Sequence, residues 1–190
     1  MQLKDSSLLR QHGFIHGEWC SARSGATIAI RNPANGTVVG EVPVMGATET
    51  REAIDAAAKA MPAWAKRTAK ERAVILRRFA ELMLANADDL AIIMTSEQGK
   101  PLAEAKGEVA YAASFLEWFA EEGKRVYGDV IPTFRADARL LVLRQPVGVA
   151  GSLTRGNERK GNECGQGSGY HGRCRFIIRP GRSRLQAPRP

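Results

Sequence analysis

The chain has 190 residues, of which 44% are apolar and 25% charged, enough for one globular domain or for part of a larger one. No run of 18 apolar residues occurs and the start, Met1-Gln2-Leu3-Lys4-Asp5, has no apolar core, so neither a membrane-spanning helix nor a secretory leader is expected. Three cysteines are too few and odd in number for a disulfide framework, which suits a reducing, cytoplasmic setting. The formal net charge of +8 is unevenly spread. Residues 1–150 hold 19 basic and 18 acidic side chains, and the last forty residues hold 9 and 2. A nucleic-acid partner is therefore excluded for the long, nearly neutral part and is arguable only for the tail.

The first 45 residues read as short strands joined by turns. Phe14-Ile15-His16-Gly17-Glu18-Trp19 predicts a tight hairpin with Gly17 in its turn. Thr27-Ile28-Ala29-Ile30-Arg31 and Thr37-Val38-Val39-Gly40-Glu41-Val42 are β-prone. Between them, Asn32-Pro33-Ala34-Asn35-Gly36 ends in an Asn-Gly pair suited to the positive φ of a turn.

Four helices are predicted next. The first spans 49–61, with Ile54, Ala57, Ala58 and Met61 on one face and Pro62 as its stop. Thr68-Ala69-Lys70-Glu71 is a capping box that opens the second, whose apolar positions are Ile75, Phe79, Leu82 and Met83. The third begins near Asp88-Asp89, acidic residues that suit the positive end of a helix dipole, and ends at Gly99-Lys100-Pro101. The fourth covers 102–124, with Val109, Ala112, Ala113, Leu116, Phe119 and Ala120 as its apolar stripe and Gly123 as its stop. Arg139-Leu140-Leu141-Val142-Leu143-Arg144 predicts a strand, and Val147-Gly148-Val149-Ala150 the start of a second, buried one.

The pattern then breaks. A buried strand ordinarily continues through further apolar residues into a helix, but Gly151-Ser152-Leu153-Thr154-Arg155-Gly156 follows. Residues 151–190 contain eight glycines and no Val, Met, Asp or Trp, and their one apolar cluster is Phe176-Ile177-Ile178. Such a segment buries too little surface to offset a backbone entropy cost of about 1–2 kcal/mol per residue, so it is expected to be disordered. Translation of a GC-rich gene out of frame yields this Arg, Gly and Pro bias without selection, and that reading is preferred to phosphate binding by the tail.

Residues 1–150 resemble the N-terminal part of the succinate-semialdehyde dehydrogenase branch of the NAD(P)-dependent aldehyde dehydrogenase superfamily. The resemblance rests on Ile15-His16-Gly17-Glu18-Trp19, Asn32-Pro33-Ala34-Asn35-Gly36, Glu97-Gln98-Gly99-Lys100-Pro101-Leu102-Ala103-Glu104-Ala105 and Gln145-Pro146-Val147-Gly148-Val149. Its most specific stretch is Tyr111-Ala112-Ala113-Ser114-Phe115-Leu116-Glu117-Trp118-Phe119-Ala120-Glu121-Glu122-Gly123-Lys124-Arg125. The resemblance implies an α/β fold, here an incomplete one. Residues 1–130 would supply strands and helices that wrap a Rossmann-like cofactor domain. Residues 131–146 would start a β-arm used in oligomerisation, and residues 147–150 would open the first Rossmann strand, ahead of a disordered basic tail. The implied reaction is oxidation of succinate semialdehyde to succinate with NADP or NAD. The implied partners are a small aldehyde and, through the oligomeric habit of the family, full-length subunits.

The same resemblance shows what is missing. The family's oxyanion-stabilising Asn follows the first strand, where Leu153-Thr154-Arg155-Gly156-Asn157-Glu158 stands here. The family's ribose-binding segment, its general base and its cysteine nucleophile have no counterpart. No catalytic residue, no cofactor-binding residue and no metal ligand is assigned, no cofactor is expected on this chain, and the chain is expected to be inactive. Cys164-Gly165-Gln166 has the letters of the nucleophile motif in the wrong order. Cys164, His171 and Cys174 match no common zinc spacing and lack a fourth ligand. Gly165-Gln166-Gly167-Ser168-Gly169 has no strand before it and so is not a dinucleotide loop. Tyr111, Phe115 and Trp118, spaced i, i+4, i+7, suit core packing on a helix. The resemblance adds that one face of that helix lines the substrate tunnel, which makes Tyr111 and Phe115 the candidate substrate-channel residues.

Overall fold

The computed structural model describes residues 1–154 and 173–176. After a short 3-10 turn at Ser6–Leu8, strands β1 (Gly13–Ile15) and β2 (Glu18–Cys20) pair antiparallel, with Phe14 opposite Trp19. Their two-residue turn places His16 at φ 56° and Gly17 at φ 88°, the pair of positive angles that matches hairpin twist. The Phe14 and Trp19 rings lie 5.0 Å apart, and Arg10 sits 5.0 Å above the Trp19 ring. Strands β3 (Thr27–Arg31) and β4 (Val38–Pro43) form a second antiparallel pair, joined through Gly36 at φ 72°. Both hairpins fall where the β-prone runs and Asn-Gly turn predicted them.

Helix α1 spans Ala47–Lys66, longer than the predicted 49–61, and passes through Pro62. Pro62 removes one N–H, the partner of the Ala58 carbonyl. Ala58 is exposed, where a free carbonyl can be solvated at little cost, and the helix runs on through its proline. At the other end, Glu49 is buried and its carboxylate accepts from the N–H of Arg23 (3.0 Å) and of Gly46 (2.9 Å). These bonds, that from Arg23 foremost, hold the Glu49 carboxyl below the usual glutamate range. Because the folded-state value is depressed, the contribution is present in full above the ordinary glutamate pKa and is lost as pH falls through the folded value. Amide exchange at Arg23 and Gly46, corrected for its intrinsic pH dependence, is therefore expected to lose protection only below the ordinary glutamate range. Unchanged protection down to pH 2 would remove Glu49 from this role.

Helix α2 (Ala69–Ala85) opens with the predicted capping box: Thr68 Oγ1 accepts from the Glu71 N–H at 3.3 Å, and Glu71 Oε2 accepts from the Thr68 N–H at 2.7 Å. Helix α3 (Ala87–Gln98) carries Asp88 and Asp89 in its first turn and stops at Gly99, φ 71°. A Cβ on Gly99 would approach Pro33 Cγ to 2.7 Å, so this cap needs glycine both for its angle and for its closeness to the β3–β4 turn. Asp89 is buried and accepts from the N–H groups of Lys4 (3.0 Å) and Asp5 (2.8 Å), tying the N-terminal segment to α3. Helix α4 (Leu102–Glu122) follows Pro101 and lies between α2 and α3.

The interior of this helical layer is made of small side chains. Ala73, Ala80, Ala91, Ala105, Val109, Ala113 and Ala120 are buried, and no large side chain is fully buried among the described residues. The predicted α4 stripe is right at Val109, Ala113 and Ala120 but wrong at Ala112 and Phe119, which are exposed. Small residues let helix axes approach closely, and that leaves the larger residues on the outer faces.

Strands β5 (Asp129–Ile131) and β6 (Leu140–Val142) form a third antiparallel hairpin. The strand expected over 147–150 is absent. Instead β7 (Gly151–Thr154) pairs antiparallel with β8 (Arg173–Phe176), Gly151 opposite Phe176. A buried parallel strand needs neighbours on both sides, and the sheets among the described residues are two-stranded and antiparallel. Those eight residues of the expected disordered tail are thus paired backbone. The rest of that expectation, for 155–172 and 177–190, lies outside the described residues. No described helix is long and apolar enough to cross a membrane.

Candidate functional site

Helix α4 has two faces. At about 100° per residue, Ala105, Val109, Ala113, Leu116 and Ala120 fall on one side and Tyr111, Phe115 and Trp118 on the opposite side. The first set packs toward α2 and α3; the second is 65%, 45% and 63% exposed. Core packing of these aromatics, the plainer of the two readings of their spacing, is therefore not what this chain does with them. The Tyr111 and Phe115 rings meet edge to face, centroids 4.7 Å apart and 74° between planes, a geometry that matches the positive edge of one ring to the negative face of the other. Phe119, one turn beyond Phe115, is exposed beside them. Sequence reasoning placed it in the core stripe; at about 100° per residue it stands about 40° from both Phe115 and the buried Ala105, so its helical angle did not decide between the two faces.

The face is apolar and offers no anchor for an anion. The basic residues on α4 and at its ends already have carboxylate partners: Lys100 with Glu108, Lys106 with Asp88 (2.7 Å), Lys124 with Glu121 (3.1 Å) and Arg125 with Glu122 (2.9 Å). Both Lys106 and Lys4 hold the Asp88 carboxyl below the usual aspartate range. Such a face can form a wall that excludes water and orients an aliphatic chain, and it cannot by itself hold a carboxylate.

Among the described residues no nucleophilic centre accompanies it. Cys20 is half-buried in the first hairpin, and its thiol donates weakly to the Gly13 carbonyl at 3.6 Å. Neither a histidine nor a carboxylate is hydrogen-bonded to it, so nothing there serves as a base. An open groove of about 580 Å³ lies between the first hairpin and α1, lined by Phe14, Ile15 and His16 on one side and by Ala53, Ala56 and Ala60 on the other. It holds no cluster of titratable groups. Among the described residues no group of His, Cys, Asp or Glu is arranged to hold a metal. Cys164, His171 and the Gly165–Gly169 run lie outside the described residues, and Cys174 falls within β8.

A dinucleotide needs a strand that ends in a glycine-rich turn and opens a helix whose N-terminus receives the phosphates. No such unit occurs among the described residues, where β7 turns back into an antiparallel pair. The described residues thus offer no cradle for the cofactor's phosphates.

Residues 19–157 match the model of the aldehyde dehydrogenase family. The chain is 62% identical over 154 residues to a glutarate-semialdehyde dehydrogenase of Pseudomonas putida and, at the same identity and length, to the NADP(+) succinate-semialdehyde dehydrogenase of Escherichia coli. In both cases 81% of this chain is covered, and the chain spans about a third (32%) of the relative's length. Among solved structures, an Escherichia coli NADP-dependent enzyme superposes with a TM-score of 0.75 at 63% identity, covering 76% of this chain and 30% of that one. A succinate-semialdehyde dehydrogenase from Burkholderia pseudomallei superposes at 0.76 and 59%, covering 78% and 31%. With a family match across most of its length and an N-terminal fold shared with these structures, the chain belongs to the aldehyde dehydrogenase family.

Proposed function

We propose that residues 1–150 are the N-terminal part of an NAD(P)-dependent semialdehyde dehydrogenase acting on succinate semialdehyde in the cytoplasm. In this reading Tyr111 and Phe115 form a wall of the substrate channel, β5 and β6 begin the oligomerisation arm, and the 190-residue chain alone is catalytically silent. The observation that carries it is the outward aromatic face of α4, on the helix that bears the most specific family stretch. The identity to succinate- and glutarate-semialdehyde dehydrogenases supports a short aldehyde that carries a carboxylate. No step of the oxidation is assigned to this chain, because its described residues offer neither an activated thiol nor a dinucleotide cradle. Its own part is to exclude water and steer the aliphatic portion of the aldehyde.

The test has two arms. Purified chain, made in a host lacking the native enzyme, is expected to form no NADH or NADPH from succinate semialdehyde above a blank; a persistent rate would overturn the silence. In a chimera of residues 1–150 with the remaining part of the Pseudomonas putida relative, succinate semialdehyde is expected to be oxidised. There Phe115→Ala should raise KM by roughly tenfold with a smaller change in kcat, as for loss of one apolar contact. An active chimera in which Tyr111→Ala and Phe115→Ala leave both constants unchanged would remove them from the channel.

We further propose that residues beyond about 150 are read out of frame. Translating the coding DNA in its other two frames past codon 150 is expected to yield the family's continuation, with an Asn-containing segment after the first strand. Neither frame giving it would sink the idea.

A further inference from the structure

The turn between β3 and β4 holds the chain's one asparagine that is followed by glycine. Of five asparagines, Asn32 precedes Pro33, whose nitrogen carries no hydrogen, Asn86 precedes Ala87, and Asn157 and Asn162 precede glutamates. Asn35, Gly36 and Thr37 are exposed, and nothing lies within 4 Å of a Cβ placed on Gly36. The Asn35 side chain is held in place. Its Oδ1 accepts from the Thr37 N–H at 3.0 Å and from Thr37 Oγ1 at 2.8 Å, which folds the carboxamide back over the Gly36 peptide. Two donors on that oxygen draw electrons from Cγ and stabilise the negative charge that a nucleophile adding there would create. The Arg31 guanidinium donates to the Gly36 carbonyl at 3.0 Å, a cation that favours negative charge at Gly36 as its N–H proton leaves.

We propose that Asn35 is a site of spontaneous modification, converted by the Gly36 backbone nitrogen and water into aspartate and isoaspartate, with the Thr37 hydroxyl as its positioning group. The Gly36 N–H gives its proton to solvent base, and the nitrogen's electron pair forms a bond to Asn35 Cγ. The bond from Cγ to the side-chain nitrogen then breaks, and that nitrogen takes a proton from water and leaves as ammonia. The product is a cyclic succinimide, which water opens at either of its two carbonyls. Opening at Cγ restores the ordinary peptide as aspartate. Opening at the main-chain carbonyl leaves the chain running through the side chain, as isoaspartate. Nothing is oxidised or reduced. Glycine permits the ring closure, since no Cβ crowds the approach of its nitrogen to Cγ. One contact opposes it: the Gly36 N–H donates to the Asn32 carbonyl at 2.8 Å. A single hydrogen bond of this kind slows the step by about tenfold at most. Isoaspartate adds a main-chain carbon to a turn that the Asn32 N–H closes on the Thr37 carbonyl at 2.8 Å, and Pro33 of the same turn abuts Gly99. The site rests on this turn alone, not on the reading of the chain as a dehydrogenase.

The experiment incubates the full 190-residue chain in mildly alkaline buffer and follows its tryptic peptides by mass spectrometry. The peptide 32–51 is expected to gain one mass unit at Asn35, to split into two products and to release one ammonia per converted chain. An isoaspartyl methyltransferase should label one of the two products. The rate should rise in step with hydroxide concentration, while Asn32 and Asn86 keep their amides over the same time. Thr37→Val should convert several-fold more slowly, and Thr37→Ser, which returns the hydroxyl, should recover the parent rate. The converted fraction should lose amide-exchange protection at Asn32. Asn35 that keeps its amide in the folded chain but loses it in denaturant overturns the proposal, because the turn then shields the site. Loss of the Asn86 amide as fast as that of Asn35 also overturns it. So does aspartate formed without isoaspartate, which is direct hydrolysis with no ring closure. Conversion of Thr37→Val at the parent rate overturns the part given to the hydroxyl.

Discussion

On heating, the isolated chain is expected to lose helicity gradually, without a sharp transition, and to bind a hydrophobic dye at room temperature. The reason is the composition of its interior. Every buried apolar residue described is an alanine except Val109. Ile54, Ile75, Phe79, Leu82, Trp118 and Phe119 all remain exposed. Full burial of one large apolar side chain contributes about 1.5–3 kcal/mol, so six left about half covered forgo on the order of 5 kcal/mol or more. A whole natural domain has only about 5–15 kcal/mol of net stability. The helices themselves are locally well specified, by the Thr68–Glu71 box, the Gly99 cap and the Glu49 staple. Secondary structure with loose packing is the combination that gives dye binding and a broad melt. Calorimetry and dye fluorescence check it together. A monomer with one narrow, cooperative transition and no dye binding would show that the alanine interior suffices.

The devices that act within a few residues were readable in advance. The His16-Gly17 turn, the Thr68 cap and the stop at Gly99 each depend on one residue's steric or hydrogen-bonding character, and each stands where the sequence predicts. Inwardness was less legible. Periodicity on α2 and α4 finds two apolar arcs on each helix and cannot say which one this chain buries. The large residues invite the choice of Ile75/Phe79/Leu82, whereas the close helix pair uses Ala73 and Ala80. The run through Pro62 was misread because a missing N–H costs little where the orphan carbonyl is solvated. The displacement of the last strand from 147–150 to Gly151–Thr154 has a tertiary cause: its pairing depends on β8, over twenty residues later. For the candidate site, the spacing of Tyr111 and Phe115 was legible, whereas their edge-to-face contact is a finding of the structure.

Replacing Gly128 with valine is expected to abolish the β5–β6 hairpin. Gly128 stands just before β5, beside the end of β6. A Cβ there would lie far inside van der Waals contact of the Val142 carbonyl oxygen, and 3.2 Å from its carbon. Both are backbone atoms, so no side chain can swing aside to make room. The strands must part at the Asp129–Val142 pair, one of only three in the ladder. Little else holds them. Val130, Ile131, Leu140 and Leu141 are all exposed, and an isolated two-stranded hairpin is marginal in water even when intact. Loss of one end pair should therefore propagate through the whole ladder. Cross-strand contacts between Asp129 and Val142, and the slow exchange of amides in 129–131, should disappear together. Gly107 provides the contrast, because nothing lies within 4 Å of a Cβ placed on it in the middle of α4. Gly107→Ala should raise helical content, by the roughly 0.5–1 kcal/mol that alanine gains over glycine inside a helix. Gly128→Val retaining its cross-strand contacts would mean that the close approach at Val142 relaxes without cost, and that the hairpin is held by something other than its register.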